Sequence, residues 1–462
     1  MSRALAALSL MLIWLNSLTA AEFHVPDEID TIQAAIDESQ DGDIIIVGPG
    51  RYKECLDFLG KSITVKSEQG PTATIVDAMM ASSVVIFRGG DDPGSVLQGF
   101  TLTNGTGSQE PLGFKSGGGI YCESSSPMIV DNIITGNVIS RGYGGGIFCC
   151  GKSAPNISRN IICGNDASGC GGGIYARQSL PDIENNMIYN NRSGETGGGM
   201  AFSLGSRPDI INNTVYGNLS PKGGGISCAM SARLVIVNTI IWGNHATKKG
   251  DAIWAGIASE PSLVYVAYCD VEGGSAAVHM ESGCVLSWGA GIIDADPLFV
   301  EPEIRDYHLT WESPCRDAGN NKVISSTFSF DFENDPRATA EGAMIDIGAD
   351  EFHLHLYITG KLTPGQVVKL NIIGTPNMDP IRLIQSARIQ NPPWKTEFGD
   401  LYVRRPFLAD WNLGPIPTDG LRVIESEIPD DIQPDSRIIL QALVGGLKPD
   451  ARLTNPLFIQ IK

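Results

Sequence analysis

Glu123 and Arg177 fall in what reads as one outward-facing column of short strands, and they offer the two charges that sugar-acid chemistry requires. Elimination across a uronic acid needs a base near the α-proton and a cation or arginine to neutralise the carboxylate. Beside them runs an aromatic row, Tyr121, Phe148, Tyr175 and, further on, Trp254. Sugar rings stack on such faces while arginine holds a carboxylate. The same row also fits strand aromatics that simply stack on one another. Glu123 and Arg177 are two turns apart, roughly 10 Å at strand spacing. No Asp joins them in those columns, so Asp91, Asp92, Asp131 or Asp166 would have to approach from loops. His245 follows a turn asparagine and reads as a loop residue rather than a catalyst.

A second set of carboxylates, Asp294, Asp296, Asp346 and Asp350, lies in "DADPLFV" and "MIDIGADEF". Oxygen-rich clusters of this kind can hold Ca²⁺, the one cofactor the sequence raises. Their spacing matches neither an EF-hand nor a nonapeptide calcium loop. The competing reading is that they cap turns by accepting backbone N–H groups.

The elements that must position these groups repeat. Glycine triplets begin at Gly117, Gly144, Gly171, Gly197 and Gly223, and a degenerate copy, "GDAIW", begins at Gly250, at intervals of 27, 27, 26, 26 and 27. A fixed period of this length means stacked units that cannot bury a face alone. Alternation places Ile120 and Cys122 on one face, Tyr121 and Glu123 on the other. Aligned copies give inward columns: Ile120, Ile147, Ile174, Met200, Ile226, Ile253; then Ile129, Ile157, Ile183, Ile210, Val235; then Ile134, Ile162, Ile188, Val215, Ile240. Three short strands per turn make a coil of parallel strands.

Asparagines form two more columns: Asn132, Asn160, Asn186, Asn213, Asn238, and Asn137, Asn165, Asn191, Asn218, Asn244. At about 4.8 Å per turn, each amide can bond the next. The last pair is six apart where the others are five, which predicts a one-residue bulge in that turn. "DTIQAAIDESQDGD" reads as a short helix with Ile29, Ile32, Ala35 and Ile36 on one face, capping the coil's open end.

The expectation is therefore an all-β chain: a parallel β-helix of about 26–27 residues per turn with an N-terminal capping helix. Residues 1–21, with Arg3, an apolar run and Thr19-Ala20-Ala21, read as a secretory signal. The β-helix takes residues 22–300 and a closing segment 301–353. Residues 354–462, with strand-like runs between Pro- and Gly-rich turns, read as a β-sandwich-like domain. No later run is long and apolar enough to span a membrane. The formal net charge of −19 argues against nucleic acid and acidic membranes as partners. Ten Cys in an exported chain raise disulfides, yet Cys122, Cys149 and Cys228 share an inward column and read as small apolar residues.

"TIQAAID…GDIIIVGPGRYKE", followed by "GGGIYC…P.I..N.I..N" turns, resembles secreted right-handed parallel β-helix proteins of the pectin-lyase-like superfamily. "DADPLFV", "YHLTWESPCRDAGN" and "MIDIGADEF" resemble the closing region of bacterial surface proteins of choice-of-anchor Q type. The resemblance implies export and surface attachment; the expected partner is a polysaccharide or cell-envelope component, and the expected state is a monomer. Family activities include lyases and hydrolases, so fold does not settle function. The paired-Asp, Gly-His-Gly and Arg-x-Lys motifs of the family's polygalacturonases are absent. The leading expectation is a polysaccharide-binding or surface-associated protein. Its alternatives are a lyase or hydrolase acting on acidic glycans, and a structural or adhesion protein.

Overall fold

A computed structural model describes residues 20–352 apart from 90–93, 111–112, 311, 324–329, 334, 336 and 338–343, together with the backbone of ten strands from His355 onward. The expected signal segment lies almost wholly outside the described residues.

Three long parallel sheets wind around one apolar interior. Following the chain through a turn, the first sheet holds strands such as Ile120–Glu123 and Ile147–Cys150, and has nine strands. The second, with Met128–Val130 and Asn156–Ser158, has eleven, and the third, with Ile133–Thr135 and Ile161–Cys163, has nine. A fourth sheet of five two- to five-residue strands (Val138–Ile139, Asp166–Ala167 and their successors) stiffens the corner before each glycine triplet. The sequence pattern did not foresee it, because such short strands leave no alternation to read.

Inward side chains stack in register. Ile120 pairs with Ile147, which pairs with Ile174, and all are fully buried. One turn buries Ile174, Ile183 and Ile188 completely, a transfer contribution of roughly 6 kcal/mol. No turn can do this without neighbours, which is why the unit must repeat. At the corner, Gly144 sits at φ +65° and an added Cβ would lie 2.5 Å from the Ile147 carbonyl oxygen, so only glycine fits.

The asparagine columns are hydrogen-bonded ladders. Asn132 Nδ2 donates to Asn160 Oδ1 (3.1 Å), Asn160 to Asn186 (3.1 Å) and Asn186 to Asn213 (3.0 Å). Each rung also donates to a backbone carbonyl, as Asn160 does to Ile129 O (2.8 Å). The fifth rung, however, is Thr239, whose Oγ1 accepts from Asn213 N (3.3 Å). Asn238 takes a left-handed φ of 50° and turns outward to Asn212. Correspondingly Ile236 and Ile241 are the inward residues of that turn, and Val235 and Ile240 face out. Thr239 and Asn244 are five apart, so the predicted bulge is absent there. The irregularity lies in the fourth sheet, where the register shifts between Ser220–Ala246 and Lys222–Lys249.

The helix α1, Ile32–Glu38, is capped by Thr31, which accepts from Ala34 N. It buries Ile32, Ala35 and Ile36 against the first turn and closes that end of the coil. Beyond Phe299 the chain folds back along the outer face of the third sheet. Tyr307, Ile347 and Ala349 pack there against Tyr189, Met187 and Ile240. From His355 onward the strands pair antiparallel in three sheets; the expected sandwich packing of their side chains lies outside the described residues. All ten cysteines are free thiols.

Candidate functional site

The aromatic row does not form a platform. Tyr121, Phe148 and Tyr175 point out of the first sheet and stack turn on turn, with ring centroids 5.4 and 5.8 Å apart, yet they are 1%, 0% and 8% exposed. A second layer covers them. The strand Ser108–Gln109 pairs with Lys115–Ser116, which in turn pairs with Gly142–Tyr143. Tyr143 lies 5.2 Å from the Tyr175 ring, and Phe114 packs on Tyr143. Burying aromatic area is favourable, and a loop that reaches it supplies the cover. The sequence held one signal of this loop. Phe87 and Cys122 pair in register 35 residues apart, whereas Cys122 and Cys149 are 27 apart.

Arg177 is consumed by that cover. Its guanidinium pairs with Glu110, whose side chain is 1% exposed, and lies 5.1 Å over the Phe148 ring. Glu110 also accepts from Ser116 Oγ. Glu123 stands two strands from Arg177 with Cys150 between them, so the structure does not bring the two together. Trp254 is 5% exposed, with Lys222 Nζ 4.8 Å over its ring.

The four aspartates considered for calcium each serve backbone N–H groups. Asp294 accepts from Gly273 (2.9 Å), Asp296 from Leu298 (3.0 Å), Asp346 from Asp317 and Phe352 (both 2.6 Å), and Asp350 from Leu309 (2.8 Å). Among the described residues no three His, Cys, Asp or Glu side chains are arranged to hold a metal ion.

The closing segment is held by two largely buried basic side chains. Arg337 donates to Asn185 Oδ1 and to the Gly348 and Ala349 carbonyls (2.7–2.8 Å), with Glu351 3.4 Å away. His308 meets Asp306 through Nδ1 (2.5 Å) and Glu333 through Nε2 (3.1 Å). Burial alone would lower the His308 pKa, but Glu333, Asp306 and Asp350 carry it well above its usual value.

With the first sheet roofed by the strands Ser108–Gln109 and Lys115–Ser116 and the third by the closing segment, the second sheet keeps one outward column open, while its other outward column (Val130, Ser158, Glu184, Val237) is buried. The open column runs in register through Met128, Asn156, Asp182, Asp209, Val235 and Tyr265. Met128, Asp182, Asp209, Val235 and Tyr265 are exposed. At one end a cavity of about 450 Å³ is lined by Ile46, Lys66, Gln98 and Asp131. Gln98 donates to Asp131 (2.8 Å), which also takes a two-pronged bond from Arg159 (2.7 and 3.1 Å). In the middle, Glu184 is buried beside Asp182 and Asp209. Burial first, then those two carboxylates, push its pKa up to about 8 against the opposing pull of Arg337. A neutral Glu184 is a hydrogen-bond donor at physiological pH. Sequence reasoning missed this face, although "PDIEN" and "PDIIN" one turn apart carry its carboxylates.

The family described as right handed beta helix region matches residues 162–291. The coil is a right-handed parallel β-helix. A family described as protein of unknown function (DUF1565) matches residues 86–221 of this β-helix. Among solved structures, a pectin methylesterase from carrot is similar over 61% of the β-helix chain and 90% of its own, at 12% identity and a TM-score of 0.32. No curated protein matches the chain.

Proposed function

We propose that this β-helix is a secreted or cell-surface protein that binds a polysaccharide along the outer face of its second sheet. The observation that carries this reading is that, of three long faces, this one keeps an exposed outward column, Met128 to Tyr265, while the aromatic row of the first and the outer face of the third are covered by the chain itself. It offers a file of apolar, amide, carboxylate and tyrosine side chains stepping about 4.8 Å per strand. Arg207 and Arg233 flank the file, and Tyr265 supplies a ring. Asp182, Asp209 and Glu184 would repel uronates at the centre, so the face favours a neutral glycan. Elimination on the first sheet is not proposed, because Arg177 already serves Glu110. The leader-like residues 1–21 and the closing segment's likeness to choice-of-anchor Q proteins support export and surface attachment.

The test is affinity electrophoresis through gels containing neutral or acidic polysaccharides. At least one neutral polymer should retard the protein, and Tyr265→Ala and Asp209→Ala should each weaken retention about tenfold. Glu123→Ala, on the first sheet, should change nothing. Retention that survives Tyr265→Ala with Asp209→Ala, or that vanishes in Glu123→Ala, contradicts the assignment.

A further inference from the structure

The second asparagine ladder runs in one direction and ends open. Gly105 N donates to Asn137 Oδ1, and then Asn137, Asn165, Asn191 and Asn218 each donate both a backbone N–H and an Nδ2–H to the Oδ1 of the next asparagine, at 2.9–3.2 Å. Aligned bonds of this kind polarise one another. The chain of donors arrives at Asn244, which accepts from Asn218 and donates Nδ2 to Val215 O (2.8 Å). Its backbone N–H and second Nδ2 proton have no acceptor among the described residues.

The other ladder shows what closure looks like: Asn213 N donates to Thr239 Oγ1, and Thr239 N to Cys269 Sγ (3.4 Å). Below Asn244 the corresponding position is Gly274, where the chain leaves the coil path through Gly273 (φ 72°) into the one-turn 3-10 helix Gly274–Ala277. In its place is a cavity of about 270 Å³, lined by Ile241, Asn244, His245, Asp251, Glu272 and Ala277 among others.

The degenerate triplet gains a meaning here. At the middle glycine of the preceding turn, Gly224, an added Cβ would fall 2.6 Å from backbone atoms of Asp251 and His245. Asp251 occupies that same column one turn on, where the departing chain has made room for a side chain. Its Oδ1 accepts from Ala246 N (2.7 Å) with His245 Nδ1 at 3.5 Å, and Glu272 Oε2 accepts from Gly243 N (2.7 Å). Among the described residues each carboxylate keeps one oxygen without a hydrogen-bond partner.

We infer that this cavity binds a single neutral sugar unit. Donors at its base call for a ligand oxygen, and carboxylates at its rim call for ligand hydroxyls. A polyol carries both, and Ile241, Ala252 and Ala277 supply an apolar wall. A uronate would place a third carboxylate beside Asp251 and Glu272 and is disfavoured. The volume suits one pyranose ring rather than a chain. This site is separate from the second-sheet face and does not depend on it.

Titration calorimetry with methyl β-glucoside, methyl β-galactoside and glucuronic acid tests it on the full chain. A neutral glycoside should bind in the millimolar range, glucuronate about tenfold more weakly. Glu272→Gln should weaken the neutral glycoside about tenfold, and Ala277→Leu, which fills the cavity, should abolish binding, both with melting within roughly 2 °C of the parent. Tyr265→Ala should leave it unchanged. No binding of either glycoside by ~50 mM overturns the proposal. So does binding that survives Ala277→Leu, or glucuronate binding as tightly. Loss in Tyr265→Ala would place the sugar on the second sheet and end this proposal while sparing the polysaccharide reading.

Discussion

Arg177 reaches 67 residues back along the chain to pair with Glu110, and that pair pins the covering loop over Tyr121, Phe148 and Tyr175. The side chain best suited by sequence to hold a substrate carboxylate holds one from its own protein instead.

Removing Arg177 therefore leaves Glu110 buried without its counter-charge. Breaking a fully buried pair costs about 3–5 kcal/mol. Arg177 is 23% exposed, which reduces the expectation to roughly 2 kcal/mol for Arg177→Ala. Chemical denaturation of Arg177→Ala, Glu110→Gln and the double variant should show the double closer to the parent than Arg177→Ala alone. Additive losses would mean that the two residues act separately.

Glu184 sets a pH dependence. Its pKa is raised to about 8 in the folded protein, so between the ordinary carboxylate value and pH 8 the folded state holds a proton that the unfolded state has released. Stability then falls as pH rises through that window and levels off above it. Asp270, raised by burial to about 7, acts in the same direction. Glu184→Gln should raise Tm at pH 9 by roughly 3 °C and leave it unchanged at pH 5. A larger gain at pH 5 than at pH 9 would contradict the account.

The side chain and N–H of a mid-ladder asparagine make five hydrogen bonds. Asn191 Oδ1 accepts twice from Asn165, its Nδ2 donates to Ile162 O and Asn218 Oδ1, and its N–H donates to Asn218. Asn191→Leu strands the Ile162 carbonyl and the Asn165 donors in a dry interior, at about 2–4 kcal/mol. Hydrogen exchange should accelerate in the turns on either side and little elsewhere, since each turn touches only its neighbours. Uniform acceleration along the whole coil would show a cooperativity that the solenoid should lack.

Gly144→Ala places a Cβ 2.5 Å from the Ile147 carbonyl oxygen at a φ of +65°. The loss should exceed 1 kcal/mol by denaturation, because strain and left-handed backbone add. Gly205→Ala, at φ +76° but with nothing within 4 Å, should lose less. Equal losses would show that backbone conformation alone decides.

The coil was legible because its residues obey a period: the isoleucine columns up to the last full turn, four rungs of the first ladder and all five of the second read directly. The reading slipped by one in the last full turn because Asn238 imitates a rung that Thr239 fills with a hydroxyl. Inside and outside were assigned correctly for Tyr121, Phe148 and Tyr175. Alternation separates core from non-core, however, and carries no information about what a distant loop lays over the outer face. The file through Asp182 and Asp209 went unseen because only the lack of cover over it marks it out, and the sequence pattern does not record cover.

The central claim is tested most directly by hydroxyl-radical footprinting of the protein with and without the neutral polysaccharide that retards it. Met128, Val235 and Tyr265 should be protected together, while Phe330 and Met344, exposed in the closing segment, keep their reactivity. Protection confined to other surfaces, with Met128 and Tyr265 still fully reactive, would contradict it.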